Sequence, residues 1–336
     1  MNRSEKRSYP LMPLVALLAA CGGGGDDGGG YGSISYTGRT DPALIDSTNA
    51  RRYAVDSYTK ERSGSSVGPS GLLQASSVSE SSGRRGRLQS AMDVVGVALS
   101  GVRKGEGVLI PAGGGSGMRA ASTDNGRVAG NCGGSASFTM NGNEQTGSFN
   151  GSLKYNGYCE DGITTNGSAT ISGTVDRDRE RITSMSMRFD SIHSSGNGEA
   201  LTMAGTMDLE VRGSTVTMTM DLLARDDQTG EVIKMENLQV SVTAGVGYEE
   251  RTVNGRFYMP SEGYVEIETL TPFRVYDWDE WPSSGRLLIT GATGTYGGTT
   301  RALLTVEGSL CSVEADTDGD NDYDYSSGTF SWLDEL

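Results

Sequence analysis

Five aspartates near the C-terminus recur at every second position and form the strongest candidate for a metal site: Asp316, Asp318, Asp320, Asp322 and Asp324. If a strand continues through this stretch, their carboxylates share one face and repel one another unless water or a cation neutralises them. Hard oxygen ligands of this kind suit calcium. The spacing departs from the EF-hand loop, because Asn321 and Ser327 stand where that loop has Gly and Glu. The alternative is a solvated hairpin tip, since Asp and Gly favour turns.

The segment 276–282 places aromatic rings beside acidic side chains and is a candidate for ligand binding through Tyr276, Trp278 and Trp281. On an exposed loop such rings stack on sugars or anchor a protein partner. The alternative is that Tyr276 and Trp278 face the core while the neighbouring acids face water. Glycoside hydrolysis is disfavoured, because a retaining enzyme needs two carboxyl groups about 5 Å apart across a cleft and sequence neighbours rarely supply that geometry.

Catalytic and cofactor-binding motifs are weak elsewhere in the chain. His193 is the only histidine and lies in a segment typical of a loop, which excludes His-rich zinc sites and disfavours a Ser-His-Asp arrangement. The glycine run 113–115 lacks the Lys-Ser or Lys-Thr of a phosphate-binding loop. The sequence therefore predicts a protein that is not an enzyme and that requires no cofactor, calcium aside.

The cysteines fit an oxidising compartment. Cys132 and Cys159 lie at the edges of a predicted hairpin and are the expected disulfide. A bridge closing that loop stabilises a fold by roughly 3 to 4 kcal/mol in the chain-entropy model. Cys311 lies in a strand-like run and is interpreted as a small buried hydrophobic residue rather than a nucleophile.

The elements that must position these residues follow from hydrophobic periodicity, which has a period of two from residue 131 to the end. In the run 214–222, Val and Met alternate with Thr, so one face is apolar and the other polar. Short separators at 141–142, 166–167, 212–213 and 229–230 predict hairpins between neighbouring strands. The predicted fold is mainly β, a long antiparallel meander that forms a barrel or half-barrel over residues 131–336.

Residues 31–130 carry a different pattern and are predicted to be helical and partly flexible. One amphipathic helix is expected from Thr40 to about Thr59, with Pro42 at its first position, and a second from about Arg87 to Lys104. Both present apolar stripes that would pack against the sheet. The intervening segment 61–86 has few large apolar residues and is expected to be mobile.

The N-terminal residues indicate export. A basic start is followed by an apolar run, 11–20, that is too short to span a bilayer. Residues 18–21, Leu-Ala-Ala-Cys, resemble the lipobox of bacterial lipoproteins, which implies that 1–20 is a signal peptide and that Cys21 is lipidated. Residues 22–30, mostly Gly, then predict a flexible tether after the lipidated Cys. Gly22 stands where Asp would favour inner-membrane retention by resemblance to lipoprotein sorting rules, so the outer membrane is expected.

Short patches elsewhere resemble uncharacterised proteobacterial lipoproteins. They include 36–38 and 42–45 near the front, and 289–292, 313–320 and Trp332 in the tail. This resemblance covers about a fifth of the chain and implies the class of outer-membrane lipoproteins without implying an activity.

Net charge limits the partners. The formal charge is −15. This charge argues against binding of nucleic acid and against broad electrostatic binding to anionic lipid, because both require a basic face. Attachment to a membrane is therefore expected to depend on the lipid at Cys21.

Three functions remain open from the sequence. The first is a cell-envelope lipoprotein with a structural or partner-binding role, facing the periplasm or the cell surface. The second is a carrier or receptor for a lipid-like ligand held in a half-barrel cavity. The third is a lipidated transmembrane β-barrel, which the charged strand at 209–212 and the lack of regular aromatic girdles disfavour.

Overall fold

The described part of the protein is one large antiparallel sheet with a short helix. The computed structural model describes residues 34–57, 122–143, 145–160, 162–176, 181–196, 199–279 and 281–331. These residues form fourteen strands and one α-helix, α1 (Ala50–Asp56). Every strand pairs with the strands before and after it in the chain, so the sheet is a simple meander. The mainly β prediction is confirmed.

The strands are longest in the middle of the sheet, where β5 has 16 residues, and shortest at its C-terminal edge, where β13 and β14 have 7 each. Their bounds are β1 Ser122–Ala129, β2 Gly133–Asn143, β3 Ser148–Glu160, β4 Ile163–Asp176, β5 Arg181–Gly196, β6 Glu199–Arg212, β7 Thr215–Asp226, β8 Val232–Ala244, β9 Tyr248–Met259, β10 Gly263–Tyr276, β11 Ser284–Thr293, β12 Thr299–Glu307, β13 Leu310–Asp316 and β14 Tyr325–Ser331. The sheet thus begins ahead of position 131.

Two of the four predicted turns are confirmed and two are wrong. The pairs 212–213 and 229–230 connect strands, and Gly213 and Gly230 both have positive φ. The pairs 141–142 and 166–167 lie inside β2 and β4 instead. Gly167 has a φ of 119°, and a Cβ there would meet the Ser191 carbonyl oxygen at 1.9 Å. Gly167 therefore allows β5 to approach β4 closely in the middle of the strand. In the sequence alone, the same glycine resembles a turn signal.

One face of the sheet is apolar across most of its width. Cross-strand partners on this face include Met187, Met207 and Met220, which lie opposite one another on β5, β6 and β7. They belong to a single core cluster that extends from β3 to β14. Seven methionines on β5–β8 are buried in it: Met185, Met187, Met203, Met207, Met218, Met220 and Met235. The opposite face carries hydroxyl, amide and charged groups, so burial is one-sided.

Of the two predicted forms, barrel and half-barrel, the closed barrel is wrong. Among the described residues, β1 pairs only with β2 and β14 only with β13, so the sheet is open. Helix α1 covers the apolar face of β11, β12 and β13, with Ala50, Tyr53 and Ala54 buried against it. Because a helix buries this part of the face, pairing of the two edge strands is not needed to shield it from water.

The segment 34–45, called the strap below, is extended where the sequence predicts the start of a helix. Pro42 forms a parallel bridge with Tyr264. The Ala43 N–H donates to the Tyr264 carbonyl at 2.7 Å, and the Tyr264 N–H donates to Asp41 at 3.0 Å. Because these backbone groups are hydrogen-bonded to the sheet, they are not available for helical hydrogen bonds, and the helix expected from Thr40 begins only at Ala50. The second predicted helix, the segment 61–86, Cys21 and the tether lie outside the described residues.

The strap defines two ends of the sheet. It crosses the end at which β10 and β12 begin and β11 and β13 finish, where the Ala292 N–H donates to Ala43 at 2.7 Å. This end is called the entry end. The opposite end holds the β8–β9 turn and the connection from β10 to β11, and is called the far end.

The predicted disulfide is present. Cys132, in the turn before β2, is joined to Cys159 near the end of β3, with their Cα atoms 5.1 Å apart. Cys311 is buried in β13, as expected for a small hydrophobic residue. Within the described part of the chain, no helix has the length and apolar character needed to cross a membrane.

Candidate functional site

The aspartate-rich segment is a loop rather than a strand. β13 ends at Asp316 and β14 begins at Tyr325, so Asp318, Asp320, Asp322 and Asp324 lie in the connection at the entry end. The strand alternative, in which all five carboxylates share one face, is therefore wrong, and the stretch forms the hairpin connection between β13 and β14 that the other alternative predicted. The chain turns at Gly319 and Asn321, both with positive φ. Residues 316–324 are called the acidic loop below.

Asp316 anchors the acidic loop. Its side chain is fully buried. One carboxylate oxygen accepts the Gly319 N–H at 2.7 Å, and the other accepts the Asn321 N–H at 3.0 Å. The Arg301 Nε lies 3.3 Å from the second oxygen. Both oxygens are thus engaged by the fold itself.

Only some of the carboxylates of the acidic loop lie close together. Oxygens of Asp316, Asp318 and Asp320 lie within 4.8 Å of one another. Desolvation and the charge of Asp320 raise the pKa of Asp318 above its ordinary value. Asp324 is separate from these three residues. The Thr317 hydroxyl donates a hydrogen bond of 2.6 Å to the Asp324 carboxylate, which lowers the pKa of Asp324. The structure therefore brings together three of the five predicted ligands and leaves Asp322 and Asp324 out.

This cluster fits calcium only in part. Calcium takes six to eight oxygen ligands, and carboxylate oxygens are of the right kind. Asp316, however, already holds Arg301 and two backbone N–H groups. Among the three clustered residues, Asp318 and Asp320 each give one oxygen to a backbone N–H two residues on and keep the other available.

Exposed aromatic and aliphatic side chains gather at the far end. Trp278 stacks on Tyr276, with ring centroids 5.0 Å apart and planes at 9°. Tyr276 in turn meets the ring of Tyr248 edge-on at 6.2 Å. Val246, in the adjoining β8–β9 turn, is 98% exposed and Trp278 is 76% exposed. These four residues are called the aromatic patch.

Backbone contacts and an arginine hold the aromatic patch in place. The Asp277 N–H donates to the Gly247 carbonyl at 3.2 Å, which ties the β10–β11 connection to the β8–β9 turn. The Arg274 guanidinium lies 4.4 Å from the Tyr248 ring centroid and pairs with Glu250 at 2.5 Å. These contacts hold the Tyr248 ring and the β10–β11 connection within the fold, while the outer surface of Trp278 meets solvent.

The aromatic candidates separate in the structure. Trp278 is exposed and Tyr276 is half-buried beneath it, so the alternative in which both face the core is wrong. Trp281 does not join them, because it packs against the hydrophobic core. Tyr248 and Val246 had no sequence signal beyond their proximity to a turn, since their place in the patch depends on the pairing of β9 with β10.

A polar cluster around His193 was not predicted from the sequence. His193 lies within β5 rather than in a loop. Its Nδ1 is 2.8 Å from Asp227 Oδ2, which also accepts the Thr202 hydroxyl at 2.6 Å. Burial raises the pKa of Asp227, but hydrogen bonds from Thr202 and Arg225 outweigh it and the net pKa is lowered. The cluster ties the β7–β8 turn to β5 and β6, and Asp227 serves as its shared acceptor.

Comparisons of the chain with protein-family models, with curated proteins and with solved structures found no match.

Proposed function

We propose that this protein is a lipoprotein of the bacterial outer membrane, anchored through Cys21, that binds an envelope partner through the aromatic patch. The observation that carries the proposal is the exposed Trp278, which stacks on Tyr276 at the far end of the sheet. Aromatic anchors of this kind dominate the binding energy of many interfaces. A ring already held in place loses little conformational freedom when a partner docks.

The position of the patch suits an anchored protein. The chain arriving from Cys21 enters the described fold through the strap, at the entry end. β10 runs from that end to the patch and has 14 residues, which span at most roughly 45 Å in an extended strand. The patch therefore lies at the opposite end of the sheet from the strap, which supports a role in binding a partner away from the membrane.

The anchor is tested by replacing Cys21 with Ser and labelling cells with radioactive palmitate. We expect the native chain to incorporate label and to remain with outer membranes, and the Cys21→Ser chain to lose both properties. Gly22→Asp is the matched control, which should keep the label and move the protein to the inner membrane. Retention of the unlabelled Cys21→Ser chain in carbonate-washed membranes would contradict the anchor.

The patch is tested by placing a photo-crosslinking amino acid at position 278 in cells. Position 296 is the matched control, because Tyr296 is 73% exposed and lies at the entry end beside the acidic loop, where its N–H donates to the Asp318 backbone carbonyl at 3.0 Å. We expect a discrete adduct from position 278 and none of the same mass from 296. Identical adduct patterns from both positions would count against a partner site at the patch.

A carrier for a lipid-like ligand is the second candidate, and the methionine-rich apolar face favours it. Methionine side chains are flexible and adapt to varied apolar surfaces, and a half-barrel could present this face to a ligand. The seven methionines on β5–β8 are buried, however. Native mass spectrometry of the Cys21→Ser chain, purified without detergent, distinguishes the two, since a carrier retains a non-covalent, lipid-sized adduct and a partner-binding protein does not.

A transmembrane barrel is the least favoured of the three functions. The polar face carries an ion-pair cluster in which Arg256 contacts Glu236 and Glu266. Lys234 pairs with Glu236 at 3.0 Å on the same face. In a transmembrane barrel such a face would line the lumen, but β1 and β14 do not pair with each other among the described residues, so the edges that a membrane barrel must close remain open.

A further inference from the structure

A groove lies on the polar face of β2–β5, apart from the aromatic patch and the acidic loop. Its volume is about 320 Å³. Eight polar side chains line it, two from each strand: Thr139, Asn141, Asn150, Ser152, Thr170, Ser172, Ser186 and Arg188. Ile171 also borders the groove, but its side chain packs against the hydrophobic core. A groove so rich in hydroxyl and amide groups suits a ligand that hydrogen-bonds along its whole length.

The strand register arranges these side chains in two parallel rows. Thr139, Ser152, Thr170 and Arg188 are successive cross-strand partners, and so are Asn141, Asn150, Ser172 and Ser186. With strands about 4.8 Å apart, each row extends roughly 14 Å across the sheet. The rows therefore form a regular grid of donors and acceptors, long enough for more than one sugar ring.

The hydroxyl groups of the groove differ from those on the rest of the described sheet. Elsewhere on the sheet, facing hydroxyls bond to each other, as Thr217 does with Ser241 at 3.0 Å and Thr215 with Thr243 at 2.9 Å. In the groove, by contrast, five hydroxyl side chains make no side-chain hydrogen bond within the described part of the chain, namely Thr139, Ser152, Thr170, Ser172 and Ser186. They are therefore available to a ligand.

Arg188 gives the groove its charge. It is the one charged residue among those that line the groove, in a protein whose formal charge is −15. Its side chain is 72% exposed and its Nε lies 3.7 Å from Asp190, which is a long, solvent-screened pair. A planar guanidinium binds a carboxylate through two parallel hydrogen bonds. The groove is thus suited to a polyhydroxylated ligand that carries a carboxylate.

We propose that this groove binds an acidic saccharide, with hydroxyl groups along the two rows and a uronate carboxylate at Arg188. The proposal is independent of the aromatic patch, because no residue is shared between the two sites. Binding through exposed hydroxyl groups competes with water and is expected to be weak, in the millimolar range for a short oligosaccharide.

The test is isothermal titration of the full chain with trigalacturonate, using its methyl ester as the matched ligand. The ester keeps the hydroxyl groups and removes the charges, so we expect its affinity to be about ten-fold lower, because a hydrogen bond to a charged group is the stronger kind. Equal affinity for acid and ester would overturn the acidic class. The absence of any measurable binding of trigalacturonate would overturn the site.

Two variants locate the binding in the groove. Arg188→Gln should lower the affinity for trigalacturonate about ten-fold and leave that for the ester unchanged. Thr170→Val should weaken both ligands, because it removes a hydroxyl while keeping the side-chain shape. Arg212→Gln is the control, since Arg212 is 79% exposed on β6 and is not part of the lining. Unchanged affinity in Arg188→Gln, with native thermal unfolding, would place binding elsewhere and contradict the proposal.

Discussion

The acidic loop and the aromatic patch lie at opposite ends of one sheet and differ in how far the fold has used their side chains. Asp316 is buried and accepts two backbone N–H groups beside Arg301. Trp278 is exposed and touches its own base, Tyr276. Asp316 belongs to the segment with the stronger chemical signal in the sequence, yet its carboxylate already has its partners within the fold.

The difference shows why residue type is a poor guide to an open site. A carboxylate in a tight turn can satisfy nearby N–H groups, which stabilises the turn and removes the carboxylate from ligand chemistry. An indole ring offers only one N–H, so most of its surface has no comparable partner within the chain. The predictions below test this contrast, beginning with the largest expected effect.

Removal of the Asp316 carboxylate should be the most damaging change. Asp316→Ala leaves two backbone N–H groups without their acceptor and removes the carboxylate that lies beside the Arg301 guanidinium, and we expect a loss of roughly 3 to 5 kcal/mol in the free energy of unfolding. Asp322→Ala, which alters an exposed carboxylate of the same loop, should change it by no more than about 0.5 kcal/mol. Urea denaturation measures both. Similar losses in the two variants would show that Asp316 does not anchor the loop.

Calcium tests whether the acidic loop retains any binding capacity. A site in the millimolar range of weak extracellular modules would stabilise the protein by about 1.4 kcal/mol at a calcium concentration ten times Kd. We expect calcium to raise the free energy of unfolding by no more than this, measured through a higher unfolding temperature, and Asp318→Asn with Asp320→Asn to abolish the gain. Magnesium is the control ion. An unchanged unfolding temperature would mean that the loop is only a turn.

Truncation of Trp278 should affect binding far more than stability. The ring is exposed, so Trp278→Ala loses chiefly its stack on Tyr276, worth about 0.5 to 1.5 kcal/mol. Trp281→Ala should cost more, because that side chain packs against the core. Denaturation curves of the two variants provide the measurement. A larger loss for Trp278 would show that the patch is a structural element rather than an open surface.

The smallest effect expected is a pH dependence at Asp318. Its folded pKa is raised above 3.8, so the folded state favours the protonated form and ionisation at neutral pH destabilises the loop. Asp318→Asn should therefore raise the unfolding temperature slightly at pH 7. The gain should shrink as the pH falls through the folded pKa and vanish below 3.8. A gain that is independent of pH would contradict this account.

The strands were largely predictable because their physical cause is local. Alternation of Val and Met with Thr in 214–222 reports one-sided burial directly, and this run is β7. The helix expected at Thr40 failed because backbone groups of the strap pair with Tyr264 and Ala292, which lie more than two hundred residues away. No local pattern records such a partner.

The candidate sites were predictable by residue and not by geometry. Trp278 and Asp316 were both recognised from the sequence, whereas the Arg301 that engages Asp316 lies on β12 and Tyr248 reaches the patch from β9. The groove on β2–β5 gave no signal, because isolated Ser and Thr are common on polar strand faces and only the register aligns them in rows.

The strictly sequential pairing of the strands has a consequence for how the protein folds. Each hairpin needs only the strand just synthesised, so the sheet can grow from its N-terminal edge with low contact order as the chain emerges. The strap is the exception, since Ile45 bonds to Thr300 across 255 positions. This closure carries the larger loop entropy and must wait for β12. The N-terminal strap is therefore expected to dock last during folding and to detach first when the protein opens.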